Sequence, residues 1–112
     1  MYIPWAQQIK NARNGNAENA VLFFENHIAD HKNIPNFLAD YLTVNNWAGN
    51  YEEVVAAITW KEIQTIPDYG HAAIANSFKN LGQYAKALRI YSQLTKGDFD
   101  DEITWLQNTL NQ

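Results

Sequence analysis

"NLGQYAKALRIY" (residues 80–91) sets a glycine two places before an aromatic residue and five places before an alanine. "AGNYEEVVAAIT" (48–59) has nearly the same shape, and "RNGNAENAVLFF" (13–24) has it again. The three glycines, Gly15, Gly49 and Gly82, stand 34 and then 33 residues apart. A fixed period in the range of roughly 20–50 residues is the sequence signature of a stacked-repeat architecture. With each unit numbered so that its glycine is position 15, position 17 holds Ala17, Tyr51 and Tyr84. Position 20 holds Ala20, Val54 and Ala87, and position 24 holds Phe24, Ile58 and Tyr91. The halves upstream of the glycine agree less well, with Gln7, Tyr41 and Ile74 at position 7 and Asn11, Asn45 and Phe78 at position 11.

Each downstream half has the apolar spacing of an amphipathic helix. Ala20, Phe23, Phe24 and His27 follow the i, i+3, i+4, i+7 rule, as do Val54, Ala57, Ile58 and Lys61. Ala87, Ile90, Tyr91 and Leu94 follow it most cleanly. Upstream, Phe37, Leu38, Tyr41, Leu42 and Val44 form one stripe, and Ala72, Ala75, Phe78 and Leu81 another. The glycine closes the first helix of each pair, where a positive φ costs little only without a Cβ. The expectation is all-α: seven helices near 3–13, 17–30, 35–47, 51–63, 69–81, 84–95 and 100–110. They pair into three hairpins, residues 1–34, 35–67 and 68–101, stacked as a right-handed solenoid and followed by a terminal helix, 100–110.

Hairpin, period and the Gly-x-aromatic-x-x-Ala phrase together resemble the tetratricopeptide repeat. The third unit matches best, with Ile74, Ala75, Phe78, Gly82, Tyr84, Ala87, Tyr91 and Leu94 at motif positions. The first unit departs from the pattern, carrying Pro4 and Gln7 where a bulky aromatic and a leucine are usual. The resemblance implies a binding scaffold and leaves its ligand open.

Composition narrows the classes. The 112 residues carry a net charge of −4, with 18% charged and the basic residues scattered. That argues against a phosphate footprint for nucleic acid. No run approaches the ~18 apolar residues that span a bilayer. The stretch "MYIPWAQQIKNARN" has neither a basic n-region nor an apolar h-region, so no signal peptide is expected in it. Zero cysteines fits a cytosolic protein and a periplasmic one equally. Asp98, Asp100, Asp101 and Glu102 precede "ITWLQNTLNQ", which places acids at the positive end of a helix dipole. Ile103, Leu106 and Leu110 on that helix are expected to be partly uncovered, which points to a piece of a longer array. The many asparagines near helix ends, Asn14, Asn16, Asn33, Asn45, Asn46, Asn50 and Asn80, read first as caps.

Catalytic chemistry finds little support in the pattern. His27 and His31 lie four apart on one helix, a spacing that can hold a metal, but the sequence places no third ligand. Ser77 and Ser92 have no glycine-elbow context. Glu52 and Glu53 fall in a helix's first turn, where the dipole accounts for them. His71 reads as structural, and Trp60 and Trp105 as packing residues between hairpins. No enzyme activity, metal or cofactor is expected.

Positions 2, 5, 9, 12 and 13 of this repeat usually face a concave groove. Here they are Tyr2, Trp5, Ile9, Ala12 and Arg13 in the first unit and Asn36, Ala39, Thr43, Asn46 and Trp47 in the second. The third unit supplies Tyr69, Ala72, Asn76, Lys79 and Asn80. From this set Arg13, Asn36, Thr43, Asn46, Trp47, Tyr69, Asn76, Lys79 and Asn80 are the candidate binding residues. Helix packing alone requires none of Trp47, Asn46, Asn76, Lys79 and Asn80. Amides hydrogen-bond hydroxyls and acetamides, and flat rings stack on apolar sugar faces, so the set suits a glycan or a polar protein partner. Lys79 in this reading favours an acidic group over an amine.

Three stretches, "ARNGNAENA" (12–20), "NFLADYLTVNNWAGNYEEVV" (36–55) and "YGHAAIANSFKNLGQYAKAL" (69–88), resemble the N-terminal repeats of the PgaA-type outer-membrane porins. The residues that carry the likeness include Ala12, Arg13, Gly15 and Asn16, then Trp47, Ala48 and Gly49, then Ala73, Ala75 and Phe78–Leu81. That family exports poly-β-1,6-N-acetylglucosamine, a biofilm exopolysaccharide. The resemblance implies a non-catalytic periplasmic domain that docks the PgaB-type de-N-acetylase and guides the polymer to the pore. The competing reading is a general repeat adaptor that binds a peptide segment of a protein partner.

Overall fold

A computed structural model describes residues 5–59, 61–94 and 99–111, and helices are the only regular structure among them. They are α1 (Trp5–Arg13), α2 (Ala17–His31), α3 (Pro35–Trp47), α4 (Tyr51–Ala56), α5 (Asp68–Asn80), α6 (Tyr84–Tyr91) and α7 (Asp100–Leu110), with a 3-10 helix at Glu62–Thr65. The helices pair in sequence, α1 on α2, α3 on α4 and α5 on α6, and the pairs stack with α2 and α1 against α3, and α3 and α4 against α5. The molecule measures 49 × 29 × 23 Å.

All three hairpins turn in the same way. Gly15, Gly49 and Gly82 have φ of 104°, 81° and 79°. A Cβ on any of them would meet nothing within 4 Å, so conformation and not crowding demands glycine there. Each is the left-handed residue of a Schellman motif. Gly49 N–H donates to Asn46 O (3.1 Å) and Asn50 N–H to Asn45 O (2.9 Å). The same two bonds recur at Gly15 and Asn16, onto Ala12 O and Asn11 O, and at Gly82 and Gln83, onto Lys79 O and Phe78 O. The next helix starts one residue later, with Asn16, Asn50 and Gln83 as N-caps. Position 20 then lands fully buried in every unit, as Ala20, Val54 and Ala87.

Two cores lie along the stack. One gathers Ala12, Ala20, Val21, Phe24, Phe37 and Val44, and the other runs from Leu38, Ala39 and Leu42 through Ile74, Phe78, Ala87, Ile90 and Tyr91 to Leu106. Helix α3 serves both, with Phe37 and Val44 on one side and Leu38, Ala39 and Leu42 on the other, all buried.

Four expectations need correction. The fourth helix ends at Ala56 and not near 63. Thr59 and Glu62 form a capping box that starts a new helical segment. Glu62 N–H donates to Thr59 Oγ1 (3.2 Å), and Thr59 N–H (3.2 Å) and its hydroxyl (3.0 Å) donate to Glu62 Oε1. Those bonds hold the Glu62 carboxyl below the usual range. The sixth helix ends at Tyr91, where Ser92 N–H caps Leu88 O (2.9 Å). Leu106 is fully buried, packed into the second core, although Leu110 is 44% exposed. Asn16 and Asn50 occupy N-cap positions without a side-chain capping bond. Instead Asn50 Nδ2 donates to Asn45 Oδ1 (3.2 Å), and the buried Asn45 donates to Tyr41 O (2.8 Å). Trp60, Tyr2 and Pro4 lie outside the described residues.

Candidate functional site

Stacking α3 against α5 leaves a groove of about 410 Å³, closed at its far end by α7 and the residue before it. Thr43, Asn46 and Trp47 of α3 line it, with Tyr69, Ala72, Ala73 and Asn76 of α5 opposite. Tyr91, Phe99 and Glu102 complete the wall. Trp47 and Tyr69 are nearly half exposed, so their rings are available to a ligand.

An amide network forms the floor. Asn46 Nδ2 donates across the joint to Asn76 Oδ1 (2.9 Å) and Ser77 Oγ (2.9 Å), with Ala73 O a longer third acceptor (3.3 Å). The buried Ser77 hydroxyl donates to Ala73 O (2.9 Å), which leaves its oxygen free to accept from Asn46. Asn80 Nδ2 donates to Asn76 O (2.8 Å) and Oδ1 (3.1 Å). Asn46 is therefore a packing residue as well as a groove residue, and the expectation that packing needs none of the set fails at this position.

The remaining candidates are placed as follows. Thr43 turns its hydroxyl onto Ala39 O (2.8 Å) of its own helix. Asn36 is exposed, and its carbonyl is 3.4 Å from the Tyr69 hydroxyl. Arg13 lies outside the lining, its guanidinium 5.9 Å from the Trp47 ring centroid. Lys79 also lies outside it: its ammonium is 2.6 Å from Glu102 Oε2 and 4.9 Å from the Trp105 ring centroid. Lys79 thus already has a carboxylate partner within its own chain. Trp105 is 45% exposed and meets Tyr84 edge-on at 5.2 Å, which makes it a surface residue more than a packing one. Ala12 and Ala39, at nominal groove positions, are core.

Asp40 is a residue that groove numbering passes over. Its carboxylate accepts from Trp5 Nε1 (2.9 Å) and faces the Tyr69 hydroxyl, so it joins α1, α3 and α5. Burial pushes the Asp40 carboxyl above its ordinary value, although the Tyr69 and Trp5 donors and Arg13 pull the other way. Tyr69 is pushed strongly up by burial and by the Asp40 carboxylate, which keeps its hydroxyl protonated as a donor. Tyr91 is raised by burial, against an Asn76 hydrogen bond. The Phe99 and Tyr91 rings meet with centroids 5.1 Å apart and planes tilted by 37°. Glu102 and Trp105 could have been found by counting: one 33-residue step beyond Tyr69 and Ala72 lands on them.

His27 and His31 are engaged with neighbours. His31 Nδ1 is 3.0 Å from His27 O, its ring lies 5.0 Å from Phe37, and His27 lies 4.8 Å from Phe23. Among the described residues no three His, Asp or Glu side chains converge as metal ligands.

The arrangement is a set of stacked helical hairpins presenting one aromatic and amide-lined groove. No family model matches the chain, and no solved structure does. The chain is similar to the poly-beta-1,6-N-acetyl-D-glucosamine export proteins of Escherichia coli strain K12 and of Escherichia coli O157:H7. Each is 31% identical over 85 residues, which is 76% of this chain and 10% of the relative. The likeness marks that stretch as related to a segment of the export protein, and the chain spans about a tenth of the length of the curated relatives it matches.

Proposed function

We propose that this chain is a non-catalytic, tetratricopeptide-like interaction module of a poly-β-1,6-N-acetylglucosamine export protein, stacked with right-handed superhelical sense and working in the periplasm. Its groove takes the acetamido-sugar polymer, and the module docks a de-N-acetylase partner. The observation that carries the reading is the groove itself: exposed Trp47 and Tyr69 rings flank an Asn46–Asn76 amide floor. Rings supply stacking area at low entropy cost, and amides match hydroxyl and acetamide groups. The choice of polymer draws support from similarity to the poly-beta-1,6-N-acetyl-D-glucosamine export proteins. No helix among the described residues is long and apolar enough to cross a membrane, in keeping with a module beside one. The competing reading, a general repeat adaptor that binds a peptide segment of a protein partner, draws less support from a groove lined by amides and rings with Lys79 outside it.

Titration calorimetry with N-acetylglucosamine oligomers and with the de-N-acetylase tests the reading. Trp47→Ala is expected to fold normally and to weaken glycan binding about tenfold, the scale of one lost aromatic anchor. A folded Trp47→Ala protein that binds every one of these as wild type does would refute the groove assignment.

A further inference from the structure

A second hollow of about 410 Å³ lies on the side of α5 turned away from the groove. Ile74 and Phe78 line it, and at 3.6 residues per turn they stand roughly opposite the groove residues Ala72, Ala73 and Asn76. Val55, from the end of α4, and Ile58 and Ile63, from the segment that follows, make the other apolar wall. The hollow sits where α4 stops after six residues and the chain turns at the Thr59–Glu62 box. Gln83 and Lys86, one turn apart at the start of α6, complete the lining, and Lys86 is its one charged residue. The Lys86 ammonium is 5.5 Å from the Phe78 ring centroid and has no carboxylate partner among the described residues. It also stands in the first turn of α6, which carries no acidic residue and where a cation opposes the helix dipole. The Gln83 amide is exposed and makes no capping bond.

We propose that this hollow docks the C-terminal residue of a partner polypeptide that ends in a large aliphatic side chain. The side chain enters among Val55, Ile58, Ile63 and Ile74, the terminal carboxylate pairs with Lys86, and the last peptide group meets the Gln83 amide. One residue offers all three, because side chain, carboxylate and peptide N–H radiate from a single Cα. Residues three apart on a helix are neighbours, with about 5–6 Å between Cβ atoms, which suits two polar groups of one residue. The volume falls within the roughly 300–1,000 Å³ of sites that take small organic groups. A carboxylate paired with Lys86 also offsets the charge that the α6 dipole disfavours. An alkyl carboxylic acid would satisfy Lys86 and leave the Gln83 amide unmatched, so a peptide end is the better occupant. The site is separate from the groove and holds whatever the groove binds.

The experiment is an NMR titration at low salt with four probes: acetyl-Gly-Gly-Leu, its C-terminal amide, acetyl-Gly-Gly-Gly and octanoate. The free-acid leucine peptide should shift the methyl signals of Val55, Ile58 and Ile63 and leave the Trp47 indole signal in place. Capping its carboxylate as an amide should weaken binding about two- to fivefold, the factor an exposed ion pair sets. Exchanging the leucine for glycine should weaken it at least about tenfold, the scale of one buried aliphatic side chain. Lys86→Met should bind acid and amide alike, and Lys86→Arg should restore the preference. Lys10→Met, a matched loss of charge on α1, should behave as wild type, and thermal melts check the fold of each variant. Acid and amide binding equally to wild type, or a Lys86→Met protein that keeps the preference, overturns the carboxylate site. Shifts from octanoate alone, or no shift from the leucine peptide at millimolar concentration, overturn the polypeptide occupant. Trp47-dependent glycan binding is measured separately, and neither result bears on it.

Discussion

The first and second hairpins meet through rings, and the second and third meet through amides. At the first joint Phe37 is fully buried against Phe24 (4.9 Å) and Trp5 (5.2 Å, edge-on), with His31 5.0 Å away. At the second, Asn46 spans to Asn76 and Ser77 at 2.9 Å each, above a core of aliphatic side chains joined by Phe78 and Tyr91. Burial of rings is non-directional and tolerates sliding, while amide bonds weaken steeply when misaligned. The ring joint supplies stability, and the amide joint supplies register. The groove lies over the second joint, where register matters because residues from two units must meet one ligand.

The largest expected effect tests the ring joint. Phe37→Ala removes the side chain on which Trp5, Phe24 and His31 converge, and should cost about 3–5 kcal/mol in urea denaturation. A loss below about 1 kcal/mol would mean that the rings are not what holds the first hairpin on the second. Asn46→Leu should cost less, about 1–2 kcal/mol, because Ser77 keeps Ala73 O and Asn76 keeps Asn80. Its larger consequence is on the groove: glycan affinity should fall by more than its stability does. A variant that melts early but binds normally would show the amides to be plain packing.

The smallest effect lies at Asp40, which ties the two joints together. Its folded-state pKa is raised above 3.8, chiefly by burial. The native state therefore holds its proton to higher pH than the unfolded chain does, and stability drains away as pH rises through that interval. Asp40→Asn keeps an acceptor for Trp5 Nε1 and removes the titration. Denaturation midpoints from acid to neutral pH should favour wild type most at the acid end and shift toward the variant as pH rises. A wild-type-minus-variant difference that is flat with pH would remove the burial argument.

Much of this comparison could be read from residue order. The three glycines at near-constant spacing gave the hairpins, their turns and the buried position 20, because a positive φ and a close helix contact each restrict the choice of residue sharply. The end of α4 was also written in the chain, as Thr59-x-x-Glu62, but the apolar spacing of Val54, Ala57 and Ile58 masked it. Asn46, Trp47, Tyr69 and Asn76, grouped by groove position number, line one hollow in the structure. Position numbers could not show that Lys79 bends onto Glu102 or that Asp40 collects Trp5 and Tyr69, since long side chains choose partners in space and not by register. Glu102 and Trp105 were reachable only by carrying the count into the last helix.

Helix α3 has a consequence for how the chain folds. Because its two sides belong to different cores, neither core can condense without it, and neither neighbour can use it fully alone. Contacts between successive units are short in sequence, which favours fast folding. The rate-limiting event is then the docking of α3 against a first partner, after which the other side is already presented for the second. Substitutions on either of its buried sides, Leu42 on one and Val44 on the other, should slow folding, whereas those in α1 or α7 should mainly hasten unfolding.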